Sequence, residues 1–165
     1  MIIPNIRFGD KRTYYISCDG IQKHCVIAVG THGSAKKKIF TRVQFEGSVK
    51  VDGVIYDVSR RVYQRDDIDF EYVDVNTGMT NLQRMKKGRP PIGSDGKPVQ
   101  LHHVLQKESG PMVEIREVTH QEYYKTLHGI IGSGSSFRNN SVLNKQYQNF
   151  RSAYWKWRAK SYGGN

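Results

Sequence analysis

Four of the six histidines in this 165-residue chain lie within a stretch of 27 residues. They are His102, His103, His120 and His128, and the first two are neighbours in the segment VQLHHVLQ. An imidazole has an unperturbed pKa of about 6.5, so near neutral pH it can accept a proton from water or bind a metal ion in its neutral form. Phosphodiester hydrolysis uses both properties, because it needs an activated water and a cation that stabilises charge on the phosphate. The cluster therefore indicates a site for this chemistry.

The expected position of each histidine follows from regular backbone geometry. Adjacent residues of a β-strand point to opposite faces, so His102 and His103 are not expected to bind the same ion. We expect one of them to bind a metal and the other to act on water. His120 is the expected second ligand, since it falls in the first turn of the helix predicted after the strands. His128 lies eight residues further on, about 12 Å along a helix with a rise of 1.5 Å per residue, and is expected to orient a ligand or to bind phosphate instead of sharing the ion.

Two strands and a helix are predicted to carry these histidines. The segments KPVQLHHVL and GPMVEIREV are separated by a Gly-Pro turn and predict a hairpin. A short helix is predicted over about residues 120–128, with Thr119 and Glu122 as a capping box and Gly129 just past its end.

The rest of the chain predicts a β-rich first half and a helical end. The runs TYYISC, CVIAVGT and IFTRVQF are strand-like, and Asp52-Gly53 predicts a hairpin at about residues 48–58. Residues 141–160 have aromatic residues at helical spacing among Lys and Arg, which predicts a basic C-terminal helix. Because the composition changes near Thr77–Gly78, we predict an α+β chain with a β-rich region over 1–78 and a second domain over 79–165.

The charge of the chain favours nucleic acid as a partner. The net charge is +11, and residues 76–165 hold 14 basic and 5 acidic side chains, a net charge of +9. Such a surface attracts polyanions. No run of apolar residues is long enough to predict a membrane-spanning segment, and Cys18 and Cys25 are too few for a disulfide framework. The candidate phosphate contacts are Arg89, Lys86, Lys87, Arg151, Lys156 and Arg158.

Residues 60–129 resemble a known family. The run TNLQRMKKGRPPIGSDGKPVQLHHVLQKESGPMVEIREVTHQEYYKTLHG, with the preceding VYQRDDIDF, resembles the LHH-motif nucleases of the HNH/endonuclease VII superfamily. The Leu-His-His, the following Gln, the Gly-Pro and two later histidines occur in the same order. The resemblance implies a treble-clef-like ββα-metal core. Members of this family are toxin modules, typically at the C-terminal ends of polymorphic toxins that bacteria deliver into competitors, and each is paired with an immunity protein.

The resemblance also implies roles for the histidines. Family descriptions make His102 the metal ligand and assign the other three to water activation, whereas the HNH pattern implies that His103 is the base and that a helix histidine is a second ligand. We adopt the second assignment because of the strand geometry, with His102 and His120 as ligands and His103 and His128 as catalytic residues. The ion could be Mg²⁺, Mn²⁺, Ni²⁺ or Zn²⁺. GPMVEIREV lacks the central Asn of the HNH pattern. The residues that could orient a histidine in its place are Gln106 and Glu114.

The sequence therefore predicts a metal-dependent endonuclease that cleaves DNA with low sequence specificity. It would be an antibacterial toxin domain, delivered as part of a larger toxin and acting in the cytoplasm of the target cell. An acidic immunity protein is the expected partner, since negative surface would neutralise the basic half. The alternatives are an RNase toxin and a non-catalytic nucleic-acid-binding module with structural zinc. A structural role is expected for His24 and His32.

Overall fold

The computed structural model describes residues 5–7, 28–30, 39–129 and 135–163. By its contacts the chain divides into two compact units, and the site lies in the second. Several residues and segments singled out above lie outside the described residues: TYYISC, Cys18, His24, Cys25 and His32.

The first unit, Met1–Lys38, contributes two short described strands. Strands β1 (Asn5–Arg7) and β2 (Ala28–Gly30) pair in parallel. The segment β2 lies within the predicted strand CVIAVGT.

The second unit, Ile39–Asn165, mixes a small sheet with helices, which confirms the predicted α+β class. Its strands are β3 (Phe40–Phe45), β4 (Ser48–Val51), β5 (Val54–Asp57), β6 (Arg60–Arg65), β7 (Gln100–His103) and β8 (Met112–Ile115). Its helices are α1 (Asn81–Lys86), α2 (Glu117–Glu122), α3 (Tyr124–His128) and α4 (Ser141–Gly163), with a 3-10 helix at Phe137–Asn139. Among the described helices, none is both long enough and apolar enough to cross a membrane.

Both predicted hairpins are confirmed. Strands β4 and β5 pair antiparallel around Asp52 and Gly53, whose φ angles are 49° and 88°, as the two-residue turn of a twisted hairpin requires. Strands β7 and β8 also pair antiparallel, with His102 opposite Val113 and His103 opposite Met112.

The central sheet has the strand order β3-β6-β8-β7, so β7 and its two histidines lie at one edge. Strand β6 pairs in parallel with β8 through Val62 and Met112. A single sheet therefore contains strands from both sides of the predicted boundary near Gly78, and the compact units divide after Lys38 instead. Residues 75–78 form an exposed loop, and the core includes residues from both sides of it.

The predicted C-terminal helix is confirmed as α4, and it supplies much of the core. Phe150, Tyr154 and Trp155 are buried, together with Val62 and Met112 of the sheet. Residues three and four positions apart lie on one helical face, so the aromatic face packs inward while most of the lysines stay exposed.

The helical segment after β8 differs from its prediction. Thr119 does not begin a helix, because α2 already starts at Glu117 and contains no capping box. The N–H of Val118 donates to Oδ2 of Asp95 at 3.2 Å, so a side chain 23 residues away supplies the acceptor for the first turn. The helical path is interrupted at Tyr123, and neither α2 nor α3 contains a buried residue. Gly129 follows the end of α3, as predicted.

Candidate active site

Three of the four clustered histidines converge at the end of the β7–β8 hairpin. Ligand nitrogens of His102, His120 and His128 all lie within 4.8 Å of one another. Nδ1 of His102 is 3.2 Å from Nε2 of His120, and the three ring centroids are 5.0–5.1 Å apart. This spacing suits one metal ion held by three imidazoles.

The expectation that His128 lies too far from His120 to share an ion is wrong. The estimate of 12 Å assumed one continuous helix, whereas Tyr123 has φ −101° and ψ 19° and separates α2 from α3. The change of direction returns His128 to the group. Its Nδ1 lies 2.9 Å from the carbonyl oxygen of Tyr124, which fixes the ring when that nitrogen is the donor.

The electrostatics of the cluster also fit a metal ion. Burial, reinforced by the neighbouring histidines, lowers the pKa of His102 to about 3. Burial and His128 lower the pKa of His120 as well. Neutral imidazole is the form that binds metals. Nδ1 of His120 is buried and has no hydrogen-bond partner among the described residues. Three convergent imidazoles, with an unsatisfied buried nitrogen on His120, fit a cation such as Zn²⁺, Ni²⁺ or Mn²⁺.

Gln106, which was predicted to orient a histidine, lies against the cluster. Its amide nitrogen is 3.0 Å from Nε2 of His102 and donates to the carbonyl oxygens of His103 and Leu127, each at 3.1 Å. Gln106 thus connects the end of β7 to α3. It holds the residue preceding His128 beside the strand that carries His102.

Glu114, the other predicted orienting residue, does not contact these histidines. Strand alternation turns its side chain to the face opposite His102, where it is fully buried. There it forms an ion pair with Arg158 and accepts hydrogen bonds from the Tyr154 hydroxyl at 2.6 Å and the Arg65 N–H at 2.7 Å. Burial raises the pKa of Glu114, while Arg158 and these donors oppose that shift. Glu114 therefore belongs to the core.

His103 lies on the other face of β7 from His102, as the strand geometry predicted. Its ring packs against Phe137 and Tyr147, with centroids 4.6 and 4.8 Å away. Its Nε2 is 2.6 Å from Oε2 of Glu108. Glu108 accepts two hydrogen bonds from the guanidinium of Arg60, at 2.7 and 3.1 Å.

The series Arg60–Glu108–His103 is buried, with side-chain exposure of 0–4%. Burial works against ionisation of Glu108, but the hydrogen bonds from His103 and Arg60 hold its pKa below 4.5. Burial lowers the pKa of His103 despite the neighbouring carboxylate. A neutral ring that donates from Nε2 to a carboxylate keeps the lone pair on Nδ1, so Nδ1 is the nitrogen able to accept a proton.

No motif in the sequence marks Glu108 or Arg60 as part of the site. Glu108 lies in the loop between β7 and β8, where a polar residue is ordinarily solvated, and Arg60 precedes it by 48 residues. Only the position of Glu108, five residues after His103 in a hairpin loop, was a usable signal.

Both faces of β7 open into one cavity because the strand lies at the sheet edge. The cavity has a volume of about 620 Å³, and its walls include all four clustered histidines. Of the predicted phosphate contacts, Arg151 lines it. Four others are exposed and lie outside its walls: Lys86, Lys87, Arg89 and Lys156.

Arg158 was predicted to bind nucleic acid, and this prediction is wrong. The residue is 5% exposed, pairs with Glu114 and donates from Nη2 to the carbonyl oxygen of Arg65 at 2.7 Å. It lies on the inward face of α4, so its charge compensates a buried carboxylate.

The family comparison agrees with this geometry. The sequence model described as "LHH: A nuclease of the HNH/ENDO VII superfamily with conserved LHH" matches residues 80–161, about half of the chain. The chain belongs to the LHH nuclease family. Its substrate is accordingly nucleic acid, and the matched region of this LHH nuclease contains the four histidines. Arg60 lies outside that region, so part of the site comes from the strands before it. No solved structure matches the chain significantly.

Proposed function

We propose that this LHH nuclease is a metal-dependent endonuclease that hydrolyses DNA with low sequence specificity. The observation that supports the proposal most directly is that β7 separates a candidate metal site from a candidate general base. Three imidazoles converge on one face, and a histidine hydrogen-bonded to a buried carboxylate lies on the other. Both groups line the same cavity.

His102, His120 and His128 would hold one divalent ion, which when bound stabilises negative charge on the phosphate and the leaving oxygen. The structure thus favours His128 as a ligand over the role expected from its spacing. His103 accepts a proton from the attacking water at Nδ1. Glu108 keeps the Nε2 proton in place and stabilises the imidazolium that forms, and Arg60 holds Glu108 in its ionised state.

The test is plasmid cleavage with and without EDTA, followed by Mg²⁺, Mn²⁺, Ni²⁺ and Zn²⁺ in turn. H103A should lower the cleavage rate by about 10²–10⁴-fold, the usual contribution of a general base, while calorimetry shows metal binding unchanged. H120A should lose both binding and cleavage. Full cleavage by H103A would exclude His103 as the base.

Two further arms of the assay test the substrate and the role of the metal. Digestion of total RNA in parallel with plasmid should show preference for DNA; faster RNA digestion would overturn the DNA assignment. Structural zinc sites usually have four protein ligands, whereas this cluster offers three and faces a cavity. Chelation should therefore abolish cleavage and leave most of the circular dichroism signal.

We further propose that the chain acts as an antibacterial toxin domain, delivered within a larger toxin into the cytoplasm of a target cell. The resemblance to toxin modules supports this role, and the +9 charge of residues 76–165 supports an acidic immunity protein. Expression in a bacterial cytoplasm should arrest growth, and H103A should relieve the arrest. Equal arrest by wild type and H103A would contradict nuclease toxicity.

A further inference from the structure

Two arginines line the same cavity as the four histidines. Arg138 lies in the 3-10 helix before α4, and Arg151 lies in α4. Both line the cavity, together with Ser136 and Tyr147. Among the described residues that line the cavity, one is acidic: Glu117 of α2, the helix that carries His120.

A single buried ring organises the two arginines. The Cζ atoms of Arg138 and Arg151 lie 5.3 and 5.7 Å from the centroid of Tyr147. The hydroxyl of Tyr147 donates to the carbonyl oxygen of Leu101 at 2.9 Å, and its ring lies 4.8 Å from that of His103. The two positive charges are therefore positioned by the same residue that packs against the proposed base.

Among the described residues, neither guanidinium forms an ion pair with a carboxylate. In the described part of the chain, the ion-paired arginines are Arg60, Arg65, Arg84 and Arg158. Arg151 donates from Nη1 to Gln148 at 3.1 Å, but its Nε is buried and has no partner among the described residues. An unsatisfied buried donor destabilises the fold, so this nitrogen is suited to bind an anion that enters the cavity.

We propose that Arg138 and Arg151 form a subsite that binds a backbone phosphate of the substrate strand beside the reacting one. The ligand is a phosphodiester, which planar guanidinium groups bind through paired N–H donors. The subsite rests on the proposed function insofar as the bound strand is the one cleaved. It positions the strand without reading bases, which is consistent with low sequence specificity.

The test is binding of a short labelled DNA duplex by fluorescence anisotropy, in the H103A background so that the duplex stays intact. R138Q/R151Q should weaken binding and reduce the slope of log affinity against log salt by about 0.9 for each arginine removed. R138K/R151K should restore part of the affinity, since it keeps the charge but loses the paired donors.

The matched control is R42Q/R61Q, which removes two exposed arginines from β3 and β6, away from the cavity walls. Affinity should then change by no more than about twofold, because salt screens charges further away than about 10 Å. R138Q alone changes an exposed residue of the 3-10 helix and provides a second variant if the double variant unfolds. Equal affinity and slope for R138Q/R151Q and R42Q/R61Q would overturn the subsite.

Cleavage by the wild-type protein keeps the two proposals separate. Metal-dependent cleavage combined with equal binding by the two double variants would leave the nuclease mechanism standing and exclude the subsite. Selective loss of binding in R138Q/R151Q without cleavage by the wild type under any metal would retain the subsite and exclude the mechanism.

Discussion

Glu108 joins two side chains that are distant in sequence, His103 and Arg60, in one buried hydrogen-bonded series. The carboxylate can stabilise positive charge on His103 while Arg60 keeps it ionised. Arg60 is itself held by stacking of its guanidinium 3.8 Å from the Phe150 centroid. Glu108 is thus a positioning residue for the proposed base, and its role can be separated from simple stabilisation.

E108Q should destabilise the fold by about 3–5 kcal/mol, because it leaves Arg60 buried without its counter-charge. The double variant R60M/E108Q removes both charges and should recover much of that stability. It should not recover kcat, which we expect to stay about 10- to 100-fold below that of the wild type. The loss is smaller than the 10²–10⁴-fold contribution of a general base, because His103 itself is still present. KM and metal affinity should be unchanged. Denaturant unfolding and steady-state cleavage measure the two effects, and recovery of kcat along with stability would mean that Glu108 is only structural.

At the scale of elements, local sequence determined some structures and distant contacts determined others. Asp52-Gly53 encodes its own turn, and the aromatic spacing of residues 141–160 encodes α4, so both could be predicted. The start of α2 could not, since its acceptor is Asp95 in another loop. The same limit applied to the site. The pleat of β7 separated His102 from His103 as expected, whereas no Gly or Pro between Glu117 and His128 marks the interruption of the helical path at Tyr123.

The loop before α1 contains Asp74, whose contribution to the stability of the fold depends on pH. Hydrogen bonds from Thr77 and Asn76, with Arg84 close by, hold the pKa of Asp74 below 3.8. The folded protein therefore binds fewer protons than the unfolded chain, so ionised Asp74 contributes stability above pH 3.8 that is lost as pH falls through its lowered pKa.

D74N should consequently lower the urea midpoint at neutral pH, and its difference from wild type should shrink as the pH falls below 3.8. D66N changes an exposed aspartate and should leave the midpoint nearly unchanged at neutral pH. A D74N deficit that persisted undiminished in acid would show that ionisation of Asp74 is not the cause.

At the scale of the whole molecule, the nuclease region depends on strands that precede it. The family match begins at residue 80, yet β8 pairs with β6 and Glu108 pairs with Arg60. A fragment of residues 79–165 lacks both partners and leaves Met112 without the apolar cover of Val62.

We therefore expect the fragment 79–165 to lack a cooperative unfolding transition and to cleave no DNA, whereas residues 39–165 fold and cleave. Circular dichroism during thermal unfolding and plasmid cleavage measure the difference. A folded, active 79–165 fragment would show that β3 and β6 are dispensable.

The absence of buried residues in α2 and α3 bears on how this segment keeps its shape. Helices of five or six residues are marginal in water unless something packs against them, and here the convergent imidazoles occupy the place that apolar side chains fill elsewhere. The order of these two helices should accordingly depend on whether a metal ion is bound to the imidazole nitrogens. A chelator would disorder these two helices first, while the sheet and α4, which share a hydrophobic core, would stay ordered.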